Sequence, residues 1–282
     1  MVVPTCGDNE FVSDFQWKEP EEGYQLEPDM VGVTRDHQHE KLTTCGIDPD
    51  VFAGVADPSF FIGIAIQAGV NSGISAEGAV NMVQSLEVIR PALLDELLLV
   101  EGRIESVQEV ARGERVETHV WFSDQEGQMV LRANRVSLRP KPNSLEKGGA
   151  GIRPEPVIKD VSALDQKKGF QLTPDIVRNY SSEGNSIHYD EAAAKTGGFR
   201  APIIGGGMGV HYLMADLWVS QSPDCFACNI YFRRPIFWDD VISVGVNASH
   251  TAFGLLKRDA GSDSPVKVGT EMELTSVGLH RV

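Results

Sequence analysis

Apolar positions follow two periods along this chain, and the order of the periods repeats. Behind Asp57 and Pro58, residues Phe60, Phe61, Ile64, Ala65 and Ala68 recur at helical spacing. Asp57 is the predicted N-cap and Pro58 the first helical position. Runs rich in Val, Ile, Phe and Thr follow at 79–88, 97–110, 115–123 and 128–139 and predict strands. Over 139–156 the periodicity stops and Pro and Gly dominate, as in a linker. Beyond it Val210, Leu213, Met214, Leu217 and Trp218 fit i, i+3, i+4, i+7, i+8, a second apolar helix. Strand-like runs then return at 228–233, 241–250 and 266–280.

One phrase ties the halves together. Arg90-Pro91-Ala-Leu-Leu-Asp95 returns 144 residues later as Arg234-Pro235-Ile-Phe-Trp-Asp239. In both, Arg-Pro ends a strand, an acidic turn follows and another strand begins. A helix followed by strands, twice, predicts an α+β protein built from two copies of one unit. The expected boundaries are 1–140 and 161–282, joined by a linker over 141–160.

Charge narrows the partners. Twenty-five Lys and Arg against 40 Asp and Glu leave −15, which argues against nucleic acid and anionic membrane as partners. A small anionic ligand stays open, because a basic patch can sit on an acidic surface. Cys225 and Cys228 form a C-x-x-C, but no second ligand pair of comparable spacing accompanies them, so two ordinary thiols are expected. His37 and His39 read as part of a solvated loop, His211 as a hydrogen-bonded packing residue of the second helix, and His250 as part of a strand. No uninterrupted apolar run approaches about 18 residues. The first residues lack the basic and apolar regions of a secretory leader. A cytoplasmic protein is the expectation.

The densest polar cluster is Tyr180-Ser-Ser-Glu183-Gly-Asn185-Ser-Ile-His188-Tyr-Asp190. Asp190 is placed to cap a short helix, Glu191-Ala-Ala-Ala-Lys-Thr196, ending at Gly197-Gly198. Gly205-Gly206-Gly207 then opens the apolar helix. A turn between Glu183 and His188 can aim both side chains into one pocket, where carboxylate and imidazole together move a proton of one water. Asn185 offers an amide to orient that water. Glycines at a helix start let a ligand approach free N–H groups, which favour developing negative charge.

This ordering resembles the signature of the MaoC-like (R)-specific enoyl-CoA hydratases and dehydratases, S-G-D-x-N-P-[IL]-H-x-D followed by P-I-x-H-G-[ML]. The matching stretches here are Ser181–Asp190 and Pro202–Met208. The resemblance implies a double hot-dog fold, with two long helices each wrapped by an antiparallel sheet and the active site in the C-terminal copy. It implies syn addition of water across a trans-2-enoyl thioester carried by CoA or an acyl carrier. By position Glu183 and His188 are the catalytic pair, Asn185 orients, and Gly206 or Gly207 supplies the N–H that meets the thioester oxygen. No metal or redox cofactor is implied, and a homodimer is expected. The chain departs from the pattern in three places. Glu183 stands for the usual Asp, Ser186 for the usual Pro, and Gly-Gly-Gly-Met for His-Gly-Met. Two alternatives accompany the reading: a hot-dog acyl thioesterase, and a non-catalytic acyl-thioester-binding subunit. A polyanionic CoA also calls for a basic rim near Glu183 and His188. Arg233 and Arg234 are candidates for it, and a break at Gly69–Gly73 is a candidate space for the acyl chain.

Overall fold

The structure, a computed structural model, describes residues 17–141, 154–181, 185–259, 261 and 264–278. The first half contains β1 (Asp29–Val31), α1 (Arg35–Thr44), α2 (Phe60–Asn71), β2 (Val80–Val88), β3 (Leu98–Val110), β4 (Gly113–Ser123) and β5 (Met129–Pro140). The second contains β6 (Asp165–Gln166), β7 (Phe170–Gln171), α3 (Pro174–Ser181), α4 (Glu191–Thr196) and α5 (Gly206–Ser220). It ends with β8 (Cys225–Phe232), β9 (Val241–Val246), β10 (Ala252–Arg258) and β11 (Lys267–Gly278).

All these strands form one antiparallel sheet, ordered β1-β3-β4-β5-β2-β8-β11-β10-β9-β6, with β7 also on β9. The order β3-β4-β5-β2 is met in reverse as β8-β11-β10-β9. Equivalent strands therefore meet at the centre, where β2 pairs with β8. Ser85 faces Asn229 there, its Oγ donating to Asn229 Oδ1 at 2.8 Å across 144 residues of sequence. That separation equals the spacing of the two Arg-Pro phrases, so the repeat axis passes through this pair. Joining β2 to β8 leaves neither as an exposed edge. The sheet expected around each helix is joined to the other in one continuous sheet.

Helix α2 packs on β3 and β5, helix α5 on β9, β10 and β11, and the two helices touch. Met208, Leu213, Met214 and Leu217 of α5 are fully buried against Ile230, Phe253, Leu255 and Met272 of the sheet. Each such side chain contributes roughly 1.5–3 kcal/mol on burial.

Several local expectations are corrected. Helix α2 is capped at Ser59, not Asp57, because the Asp57 carboxylate turns inward to a histidine described below. The run at 241–250 stops at Val246. Asn247 Oδ1 accepts the N–H groups of Thr251 and Ala252, and His250 takes φ +54. This tight turn starts β10, a strand the sequence reading missed. His37 and His39 lie in α1, a polar helix capped by Thr34 Oγ1, rather than in a loop. Cys225 and Cys228 are free thiols on β8. Three residues apart on a strand they point to opposite faces, which rules out a shared ligand or a disulfide between them. Most of the predicted linker lies outside the described residues, as does Cys6. Its far end is anchored: Glu271 accepts the N–H groups of Val157 and Ile158. Among the described residues no helix is long and apolar enough to cross a membrane.

Candidate active site

The polar segment is held between α3 and α5. Asn185 caps a 3-10 turn over Ser186–His188, its Oδ1 accepting the Ile187 N–H at 3.4 Å. Asp190 caps α4 by accepting the Ala193 N–H at 2.6 Å. Gly198, at φ +80, reverses the chain after α4, a conformation that suits glycine. The Ile203 N–H then returns to Ile187 O, bringing the turn beside the start of α5. Glu183 lies outside the described residues.

His188 Nδ1 lies 2.9 Å from Ile203 O. A carbonyl oxygen only accepts, so Nδ1 carries the proton and Nε2 is left with a lone pair. A Cβ built on Gly205 would stand 3.9 Å from this Nε2 and 3.8 Å from Ser181 Oγ. Nε2 therefore faces the first turn of α5. Burial pushes the His188 pKa below the ordinary imidazole value, against the opposing pull of the Ile203 bond and of Glu77. Glu77 comes from the other half and accepts Ser186 Oγ at 2.6 Å.

Gly205 is the N-cap of α5 and supplies no side-chain bond. Helix geometry leaves the first N–H groups of such a helix without intrahelical partners. The next two glycines differ in what surrounds them. A Cβ on Gly206 would come within 3.0 Å of the Phe232 ring and 3.1 Å of Asn81 Nδ2. On Gly207 the nearest atom would be Tyr180 Oη at 3.7 Å.

That tyrosine ends a buried network the sequence reading did not assemble. Asp57 Oδ2 and Ser59 Oγ both lie 2.6 Å from His211 Nδ1, and Tyr180 Oη lies 2.6 Å from His211 Nε2. The carboxylate only accepts, so Nδ1–H donates to it and Tyr180 donates to Nε2. Asp57, Ser59 and His211 are at most 1% exposed. Burial raises the Tyr180 pKa well above its ordinary value, keeping the phenol neutral. The expectation that His211 is a hydrogen-bonded packing residue holds. No sequence pattern linked it to Asp57, which lies 154 positions away.

Helix α2 ends at Asn71, and Gly73 follows at φ +93, so the break expected near Gly69–Gly73 is present. A small cavity lies beside it, bounded by Ala65, Ile66, Gly69, Ile74, Ala76 and Arg135 among others. Arg233 is unavailable to a ligand, since Glu271 and the carbonyls of Pro154 and Glu155 hold its guanidinium.

No protein-family model matches the sequence, and no curated protein does. Solved structures match over nearly the whole chain. The structure of HtdX from Mycobacterium tuberculosis covers 91% of this chain and 100% of its own, at TM-score 0.66 and 17% identity. A MaoC-like dehydratase from Phytophthora capsici covers 90% and 96%, at TM-score 0.65 and 18% identity. A further Mycobacterium tuberculosis protein, described as having a double hot-dog fold, covers 90% and 95% at TM-score 0.62 and 12% identity.

The chain has a double hot-dog fold.

Within this double hot-dog three parts of the second copy's site lean on the first. The His188 turn rests on Glu77, Gly206 on Asn81, and His211 on Asp57. The structure thus brings together His188, Asn185, Gly206 and Gly207. Asn185 spends its carbonyl oxygen on capping the turn. Asp57, Tyr180, Glu77 and Asn81 are additions that sequence spacing alone did not supply.

Proposed function

We propose that this protein catalyses reversible hydration of an enoyl thioester, or dehydration of the matching 3-hydroxyacyl thioester. The observation that carries the reading is the His188 imidazole, locked as the Nδ1–H tautomer with Nε2 facing an uncapped glycine helix start. A proton acceptor beside free N–H groups is what addition α,β to a carbonyl requires.

The steps follow from that arrangement. The thioester oxygen sits at the N–H of Gly206 or Gly207. His188 Nε2 takes one proton of a water as the water oxygen bonds to Cβ, and the electron pair of the double bond moves to the thioester oxygen as an enolate. The imidazolium returns its proton to Cα on the same face, giving syn addition. The depressed basicity of His188 favours that return. Glu183, two residues before Asn185, accepts the water's other hydrogen and orients it. As a Glu in the usual place of Asp it reaches one methylene further. A CoA ligand finds cations at Lys41 and Arg178. Lys41 Nζ donates to Tyr180 O at 3.1 Å, and the Arg178 guanidinium lies 4.6 Å over the Trp238 ring. Neither pairs with a carboxylate among the described residues.

Loss of enoyl-CoA absorbance on adding protein tests the activity. Glu183→Gln and His188→Ala should each lower kcat by about 10²–10⁴, the usual span of general acid–base catalysis, with unchanged circular dichroism. Undiminished turnover in both variants would remove these roles. Free thiol release from acyl-CoA would instead identify a thioesterase. Acyl-CoA binding with neither reaction would identify a binding subunit.

A further inference from the structure

Strand β5 carries Leu131, Ala133 and Arg135 at every second position, so all three face the core side of the sheet. The first two are buried at 1% and 0% exposure, and Arg135 itself is partly buried, keeping some of its surface exposed. A guanidinium thus occupies a place where the alternation calls for an apolar side chain. Its Nε donates to Asn81 Oδ1 at 2.5 Å, and no carboxylate among the described residues lies within ion-pair distance. Burial lowers its pKa to about 10, with no anion to offset the effect. A cation desolvated without a partner is costly, which is why buried charges are normally paired.

A second observation points to the same spot. Gln84 stands directly opposite Arg135 in the β2–β5 register. It is fully buried, and among the described residues its Oε1 has no hydrogen-bond partner and its Nε2 makes only a 3.4 Å contact with Ser85 O. An amide can turn end for end at little steric cost and offer N–H groups instead. Two under-bonded polar groups therefore sit side by side on the core face.

Their location relates them to the proposed chemistry. Arg135 borders the cavity at the end of α2, with Gly69, Ile74, Ser75 and Ala76. The next residue, Glu77, bonds the His188 turn. Asn81, which holds Arg135 through Oδ1, presents its Nδ2 against Gly206. The guanidinium and the first turn of α5 are thus separated by one asparagine side chain.

We propose that Arg135, supported by Asn81 and Gln84, binds a carboxylate carried by the acyl group, so that the substrate is the thioester of a short dicarboxylic acid. This rests on the thioester reading above. Guanidinium and carboxylate match as a two-pronged pair, and a ligand carboxylate supplies the missing counter-charge. The close approach to Gly206 limits the chain to a few carbons between thioester and carboxylate.

The test separates this assignment from the hydratase reading. Calorimetric titration of the full chain with succinyl-CoA and with butyryl-CoA compares equal chain lengths with and without the carboxylate, and needs no turnover. Succinyl-CoA is expected to bind at least about 30-fold more tightly, in keeping with a desolvated charge pair. Arg135→Met should collapse that ratio to within about threefold, and Arg135→Gln serves if the Met variant does not fold. Hydration of fumaryl-CoA against crotonyl-CoA gives the second arm, with the same preference expected in kcat/KM. Equal affinity of the wild-type chain for the two acyl-CoAs, with crotonyl-CoA still hydrated, overturns the carboxylate site and leaves the hydratase standing. A succinyl preference without hydration of either enoyl-CoA keeps the site and removes the reaction. Binding of neither acyl-CoA overturns both.

Discussion

Removing the Asp57 carboxylate should uncouple the two halves of the molecule, and the cost can be worked from its contacts. Three donors converge on it: Ser59 N–H at 2.8 Å, Ser59 Oγ at 2.7 Å and His211 Nδ1 at 2.6 Å. All lie in a region closed to solvent. Each buried donor left without an acceptor costs about 1–3 kcal/mol. Three donors stranded together, toward the low end of that range, amount to about 3–5 kcal/mol. Asp57→Ala should therefore destabilise by about 3–5 kcal/mol, a large share of the roughly 5–15 kcal/mol available to a folded domain. Asp57→Asn keeps the volume and one acceptor oxygen, so about 1–3 kcal/mol is expected. The double variant Asp57→Ala/His211→Leu should lose less than the two single losses together, by about 2 kcal/mol or more, because the partners form one network. Equilibrium urea unfolding, followed by circular dichroism and tryptophan fluorescence, measures all four species. A cost below about 1 kcal/mol for Asp57→Ala, or strict additivity in the cycle, would refute the idea that this cluster pins the first half to α5.

The two glycines at the α5 start should respond differently to alanine. Gly206→Ala drives a methyl into Phe232 and Asn81, so a loss of about 1–3 kcal/mol is expected, with activity falling alongside; unchanged unfolding midpoints would contradict the packing. Gly207→Ala meets only an ordinary contact at Tyr180 and should be neutral or stabilising by up to about 1 kcal/mol. His188 carries a depressed pKa, so it stays neutral below the ordinary value of about 6.5. The acid limb of kcat/KM should therefore lie under pH 6.5, and NMR titration of the imidazole checks the same shift. The stability consequence has a definite sign. The unfolded chain takes up this proton first, so the contribution is whole above about pH 6.5 and is lost as pH falls through the folded value. His188→Phe should remove that acid-side loss, and an unaltered stability profile would argue against the shift.

Local patterns in the sequence were enough to locate most elements, because strand and helix periods are written in adjacent residues. The strands near 79–88, 97–110, 115–123 and 128–139 were visible that way, and so were α4 with its Asp190 cap and the glycine-led α5. What failed locally failed for physical reasons. Strand β10 was missed, and the run before it drawn four residues too long, because Asn247-Ala-Ser-His-Thr251 contains neither Gly nor Pro, and its reversal depends on Asn247 accepting two N–H groups and on His250 at positive φ. Helix α1 was read as a loop because its face is almost wholly polar, leaving no apolar stripe to detect.

The site divides along the same line. His188 and the glycines were legible because a short motif holds them, whereas Asp57–His211 and Gln84–Arg135 are pairings made by topology. Arg135 shows the difference most clearly. A charge at the second position beyond Ala133 is visible in the sequence, but strands commonly carry charges toward their ends, and by itself it carried no weight. It gains meaning from three facts of folding together: β5 continues five residues past it, to Pro140, Gln84 is brought opposite it with an orphaned oxygen, and Asn81 joins it to Gly206. A cation in that position is either a structural burden or half of an ion pair whose other half arrives with the ligand. Because a burden of that kind is relieved by a plain apolar replacement, Arg135→Met distinguishes the two: a more stable chain with unchanged acyl-CoA selectivity signals a burden, and lost selectivity signals the ligand's partner.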